Sequence, residues 1–255
     1  MSSPRLAEEP TVVAVMCLAF EAQIAAAAGV MVICNGRRER LRDQVQRACE
    51  HASGLISFGV AGGLDPRLRP GDWVVAANVT TPTGRYATDA RWTRQLRARL
   101  PQTIDADLSG FDAPIARPAT KLALGRTHGT VAIDTESHVV AEEATRRGMP
   151  FVVARVVLDP VWRTLPPAAL VPLNADGNPD IGGVARSVLR APAQLLDLGR
   201  ITADAFRAWA ALRRGRLSLG PRFALPGATS ELEAAAAPVT DDAVCALSTP
   251  WGAEA

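Results

Sequence analysis

Short apolar runs alternate along this chain with segments that space charged and apolar residues at helical intervals, a pattern that predicts strands followed by helices. Thr11–Leu18 is the first apolar run, of the kind that fills a central parallel strand, and Val30–Cys34 is the second. Arg37–His51 carries helical spacing. Leu55–Phe58 reads as a short strand entering a glycine-rich turn at Gly59–Gly63, and Asp72–Asn78 as another strand after Pro70-Gly71. Asp89–Leu100 predicts a helix capped by Asp89, with Trp92 on its apolar side. Val131–Ile133 is a strand. Ser137–Arg147 is a helix stopped by Gly148, with arginines in its last turn. Phe151–Leu158 is again a buried strand. A segment punctuated by Pro166, Pro167, Pro172, Gly177 and Pro179 then leads to helices at Gly183–Leu189 and Pro192–Arg213.

This order implies an α/β fold with a single domain: a mixed, mostly parallel central sheet flanked by helices, with antiparallel pieces around Asp72–Thr81. The predicted domain spans residues 11–220. Residues 1–10 read as a flexible N-terminus. Residues 221–255, rich in alanine and proline with little periodicity, read as a loosely ordered tail. A length of 255 residues suits one sizeable core.

Composition narrows the class by exclusion. A formal net charge of +2, scattered arginines and 5% aromatic residues offer neither a basic stripe nor a stacking platform, so no nucleic-acid partner is expected. The four cysteines lack CxxC spacing and sit mostly in apolar runs, which suits core packing in a reducing cytoplasm. The apolar stretch from Thr11 to Cys34 is interrupted by Glu21 and Gln23 and preceded by Glu8, Glu9 and Pro10. It therefore reads as strand, helix, strand rather than as a membrane span or signal. His51, His128 and His138 have no metal-ligand spacing, and no metal is expected.

The candidate chemistry lies in two segments. Phe58-Gly59-Val60-Ala61-Gly62-Gly63-Leu64 would let backbone approach a small ligand closely, but it is not GxGxxG, so a dinucleotide is a poor fit. Asp134-Thr135-Glu136-Ser137 opens a helix, with Asp134 and Ser137 as good caps. The strand that follows ends on Asp159. In parallel sheets ligands bind beyond the carboxyl ends of strands, and partial burial raises a carboxyl pKa towards neutrality.

In this order the two segments resemble the purine nucleoside phosphorylase and methylthioadenosine nucleosidase superfamily, which cleaves the bond between ribose and a base. The resemblance spans about Val12 to Leu212. It implies that Asp159 serves the departing purine as a general acid at N7, and that Glu136 hydrogen-bonds the ribose hydroxyls and stabilises the cation-like sugar. Val60, Ala61, Gly62 and Thr135 would contact substrate. Thr135 stands where the superfamily often has methionine, which implies a slightly more polar ribose pocket.

After the first strand, in Phe20-Glu21-Ala22-Gln23, relatives place the residue that meets the nucleophile. It is arginine for phosphate or glutamate for water. Simple registration puts Gln23 there, while Glu21 fits if the backbone turns it inward. Phosphorolytic relatives also place an arginine around the glycine turn, where this chain has Ser57 and Val60. Phosphate is thus a possible co-substrate, with no other cofactor expected.

Several pieces are similar to the hopanoid-associated phosphorylase branch: Leu18-Ala19-Phe20-Glu21-Ala22, Ser57-Phe58-Gly59-Val60-Ala61-Gly62-Gly63-Leu64-Asp65-Pro66, Thr120-Lys121 through Ser137-His138, Val156-Val157-Leu158-Asp159-Pro160 followed by Leu165-Pro166-Pro167-Ala168-Ala169, and Arg190-Ala191-Pro192-Ala193-Gln194-Leu195. That branch implies removal of adenine from adenosylhopane, a lipid nucleoside, by a cytoplasmic homo-oligomer with possible peripheral membrane contact. Trp162, Leu165, Pro166, Pro167 and Leu170 would then line an apolar approach to the ribose. The alternatives are a methylthioadenosine or S-adenosylhomocysteine nucleosidase, whose 5′ group is small, and a catalytically silent nucleoside-binding protein.

Overall fold

The computed structural model describes residues 11–227. The strands are β1 (Val12–Met16), β2 (Val30–Cys34), β3 (Gly54–Gly63), β4 (Trp73–Thr81), β5 (Gly84–Ala87), β6 (Thr103–Gly110), β7 (Ala132–Asp134) and β8 (Phe151–Asp159). The helices are α1 (Ala19–Ala25), α2 (Arg38–Ala48), α3 (Ala90–Arg99), α4 (Pro118–His128), α5 (Ser137–Arg147), α6 (Ile181–Arg190) and α7 (Leu195–Leu219). All eight strands form one sheet in the order β2-β1-β3-β7-β6-β4-β5, with β8 paired to both β3 and β4. Pairing is parallel between β1 and β2, β1 and β3, β3 and β8, β4 and β6, and β6 and β7. It is antiparallel where β4 meets β5 and β8, and where β3 meets β7.

Both faces of the sheet are covered, which is why the central strands read as continuous apolar runs. One face packs Val13, Val15, Leu55 and Val153 against Leu41 and Val45 of α2 and Val139, Val140 and Ala144 of α5. The other packs Val12, Ile56, Val152 and Ala154 against Trp92 and Leu96 of α3 and Ala208 and Leu212 of α7. Asp89 caps α3 as its sequence predicts, accepting from the Trp92 amide at 2.7 Å.

Three expectations change. The glycine segment is not a turn: β3 runs unbroken to Gly63, because its pairing with β8 continues through a register shift between Ala61 and Gly62. β5, β6 and α4 gave no clear pattern of their own: β5 is four residues long, Asp105 and Asp107 interrupt β6, and all three are only partly buried. The predicted boundary at residue 220 also falls short. Phe223, Ala224 and Leu225 are buried, and the Trp92 indole donates to the Phe223 carbonyl at 2.7 Å. The rest of the predicted tail, residues 228–255, and the predicted flexible segment 1–10 lie outside the described residues. Among the described residues, no helix is long and apolar enough to cross a membrane.

Candidate active site

Register places the site. Gly62 pairs with Asp159 of β8 on one side and with Ile133 of β7 on the other, so the ends of three strands meet at a residue without a side chain. A Cβ on Gly62 would stand 3.1 Å from Asp159 Oδ1. The cavity formed there is lined by Glu21, Val60, Ala61, Gly62, Asp134, Thr135, Glu136 and Asp159, together with Cys17, Leu158 and Leu165. Seven of the eight residues singled out in the sequence therefore converge. The eighth, Gln23, does not: it is exposed on α1, and Glu21, two residues earlier, takes the inward position instead.

Glu21 belongs to the first turn of α1 yet reaches across to β3. Its Oε1 accepts from the Val60 amide at 2.6 Å, and its Oε2 accepts from the Leu18 amide at 3.0 Å. Gly59 permits this crossing. Its φ of +145° suits glycine, and any Cβ there would collide with the Glu21 carboxyl and crowd Arg155.

Arg155 holds the acidic cluster together. It is fully buried in β8, with Nε 2.6 Å from Asp134 Oδ2 and Nη2 2.9 Å from Glu136 Oε2. The same Nη2 donates to Ser57 Oγ at 2.5 Å, and Nη1 donates to the Phe58 carbonyl at 3.3 Å. Asp134 does more than cap α5. It accepts from the Ser137 amide at 2.9 Å while facing the guanidinium. Glu136 Oε1 accepts from the Thr135 hydroxyl, so the unexpected threonine orients the carboxylate. Burial opposes the charge on Arg155, but Asp134, Glu136 and Glu21 together hold its pKa above the ordinary value. Ser57 accordingly serves this cluster, beneath the cavity rather than within it.

Three carboxyls against one guanidinium leave an excess of negative charge. Burial and Glu136 raise the Glu21 pKa from 4.5 to about 7, with Arg155 opposing. A carboxyl whose pKa is higher in the folded state than in the unfolded chain stabilises the fold fully below the unfolded pKa. That contribution is lost as pH rises through the folded pKa. Stability measured by urea unfolding is therefore expected to decline between about pH 4.5 and pH 7 by up to roughly 3 kcal/mol. Glu21→Gln is expected to remove most of that decline; an unchanged pH profile in the variant would assign it to other groups.

Asp159 is paired with a residue that sequence reasoning passed over. Lys121 of α4 is fully buried, and its Nζ lies 2.5 Å from Asp159 Oδ2. It also donates to the carbonyls of Arg163 at 3.1 Å and Pro160 at 3.3 Å. Burial raises the Asp159 pKa above its ordinary value, while Lys121 pulls the other way. Both missed residues left a signal. Arg155 is a lone charge inside an apolar strand, where burial demands a partner. Lys121 is the only lysine in a chain whose other cationic side chains are arginines.

The inner cavity opens into a larger one of about 580 Å³, with walls that include Leu18, Leu41, Leu165, Leu170, Val171, Pro172, Leu173 and Ile201. Of the expected apolar approach, Leu165 and Leu170 are part of this wall. Trp162 is not: it is partly exposed, with the Arg69 guanidinium stacked 4.5 Å from its ring centre. Pro167 lines a neighbouring groove instead. His138 is buried beside the cavity with Nε2 3.0 Å from Asp112 Oδ1, and His128 packs its ring 5.4 Å from Phe111. No cluster among the described residues has the make-up of a metal site.

Comparison with known proteins agrees with this architecture. Residues 41–165 match the family model of the Phosphorylase superfamily. Among solved structures, the 5′-methylthioadenosine/S-adenosylhomocysteine nucleosidase of Neisseria meningitidis, in complex with methylthio-immucillin-A, superposes with a TM-score of 0.58 at 14% identity. The match covers 85% of this chain and 100% of that one. The corresponding nucleosidase of Colwellia psychrerythraea, in complex with adenine, gives 0.53 at 15% identity over 71% and 95%. The futalosine hydrolase of Helicobacter pylori gives 0.53 at 14% identity over 59% and 88%. A search of curated proteins finds no significant sequence match. Over residues 41–165 the chain carries the sequence pattern of the Phosphorylase superfamily, and the domain around that stretch has the fold of nucleosidases.

Proposed function

We propose that this protein is an enzyme that cleaves the N-ribosyl bond of an adenine nucleoside, with water as the nucleophile and an apolar substituent on the 5′ carbon of the ribose. One observation carries the reading: Glu21, Glu136 and Asp159 face a single cavity from three different elements. As C1′–N9 breaks, its electron pair passes into the purine and N7 takes a proton from Asp159. The water oxygen bonds to C1′ and its proton goes to Glu21, whose pKa of about 7 suits a base at neutral pH. Glu136, 2.9 Å from Arg155, stabilises the cation-like sugar between these steps. Burial, Glu136 and Glu21 hold the Cys17 thiol protonated, so it is no rival nucleophile.

The charge in the cavity supports water over phosphate. A phosphate dianion needs several charge-assisted hydrogen bonds to offset its desolvation. The walls carry Glu21, Asp134, Glu136, Asp159 and Asp112, while the two nearby cations, Arg155 and Lys121, are buried in ion pairs. A phosphate-dependent reaction would need an arginine from elsewhere, such as the exposed Arg37 or one from a second copy of the chain.

The volume and lining of the outer cavity support an apolar 5′ group larger than methylthio, as in the lipid nucleoside adenosylhopane. With such a substrate, contact with a membrane surface would accompany catalysis by a protein otherwise free in the cytoplasm. The nucleosidases it superposes on make a small 5′ group the second reading.

Adenine release from adenosylhopane, methylthioadenosine and adenosine, each with and without phosphate, tests this. The expected result is release without phosphate, fastest from the lipid nucleoside. Preference for methylthioadenosine would favour the second reading. Strict phosphate dependence, with a ribosyl 1-phosphate product, would replace water as the nucleophile. Tight binding without release from any substrate would make the protein a nucleoside-binding one.

A further inference from the structure

The Lys121–Asp159 pair has a geometry that a buried general acid does not need. A carboxyl raised by burial alone would already serve as the acid. Here an ammonium is placed against one of its oxygens, fully out of solvent, at the cost of desolvating a lysine. The three protons of Lys121 each have an acceptor: Asp159 Oδ2, the Pro160 carbonyl and the Arg163 carbonyl. These acceptors hold the ammonium at the start of the segment that leaves β8. Asp204, the other charge that bears on Asp159, already has cations of its own. Asp204 of α7 receives two bonds from Arg163, at 2.6 and 2.8 Å, and one from Arg207 at 3.0 Å. Glu136, across the cavity, faces Arg155. Among the described residues, Lys121 is thus the one cation directly on the carboxyl.

We propose that Lys121 is a positioning residue for the leaving base: it ties back Asp159 Oδ2, leaves Oδ1 for N7 of the purine, and governs through its charge when Asp159 carries a proton. The proposal rests on Asp159 being the acid of the reaction above. When N7 takes that proton, the carboxylate left behind already faces Lys121, so charge forms where a partner is in place. Arginine would not substitute. Its planar fork is wider than the enclosed ammonium site and cannot point three donors at acceptors around a single nitrogen. This accounts for a lone lysine among arginines.

The decisive measurement is the titration of the Asp159 carboxyl by NMR in protein labelled with 13C-aspartate, with the Asp159 signal identified by its absence in Asp159→Asn. In Lys121→Met the midpoint is expected to rise by about one to three pH units, the usual effect of removing an opposite charge at this range. An unchanged midpoint would overturn the proposal, whatever the activity. Lys121→Gln serves if the methionine variant does not fold, since an amide keeps donors for the carbonyls without the charge. A further readout needs no Lys121 variant. Lysine-labelled protein gives one side-chain signal, expected to shift with pH as Asp159 titrates, and that step is expected to vanish in Asp159→Asn. Its persistence there would also count against the coupling.

In turnover, adenine release is lost as pH rises through the Asp159 pKa, so Lys121→Met is expected to move the alkaline limb of kcat/KM upward while lowering the plateau. A lower plateau with an unmoved limb would mark a merely structural lysine. Absence of adenine release by the wild type would refute the function proposed above and leave the titration result standing.

Discussion

Asp159→Asn is expected to lower adenine release about 10²- to 10⁴-fold, the range of a lost general acid, while leaving the fold intact. The amide can hydrogen-bond N7 but has no proton to transfer. It also loses the charge that pairs with Lys121, which leaves a buried ammonium among neutral acceptors, the amide oxygen and the carbonyls of Pro160 and Arg163. Some loss of stability is therefore expected alongside the rate effect. The discriminating substrate is nitrophenyl riboside, whose leaving group needs no protonation. If the variant cleaves it at close to the wild-type rate, the acid role stands. If it is slowed as much as adenosine, Asp159 positions the site rather than protonating the base.

Arg155→Met is expected to be the most damaging change to stability. Among the described residues it removes the one guanidinium facing Asp134, Glu136 and Glu21, all at least nine-tenths buried. Breaking a buried ion pair by deleting one partner typically costs about 3–5 kcal/mol, because the remaining charge keeps its desolvation penalty. For a domain of this size, that corresponds to a melting temperature lower by roughly 10 °C. The deficit depends on pH, with a sign set by the carboxyls. Without Arg155 the pull that opposes the raised Glu21 pKa is gone, so that carboxyl rises further, acid neutralises it, and the variant approaches wild-type stability as pH falls from 8 to 5. A melting temperature within two or three degrees of wild type at pH 8 would show that the three carboxyls do not depend on Arg155.

The apolar runs at Thr11–Leu18, Val30–Cys34 and Phe151–Leu158 were sufficient to place β1, β2 and β8 and the alternation with helices, because strands buried on both faces must be apolar throughout. The Asp89 and Gly148 caps were legible for a similarly local reason: a helix end must satisfy its own backbone. Local pattern put Asp159 at the end of a strand and Glu136 at the start of a helix, but it was the resemblance to a nucleoside-cleaving superfamily that singled them out.

Other features depended on contacts distant in sequence. Whether Glu21 or Gln23 turns inward follows from the Val60 amide, 39 residues away, and from the space left by Gly59. The end of β3 looked like a turn because glycines break a strand unless a neighbour holds them, and β8 does. Lys121 and Arg155 gave only compositional hints, since a lone lysine or a charge in an apolar strand names no partner. Their roles were decided when the sheet brought β8 beside β3 and packed α4 against its end. Local sequence sets which segments form and how they stop; which charges meet in the dry interior is set by the tertiary fold, through burial that no single segment can supply.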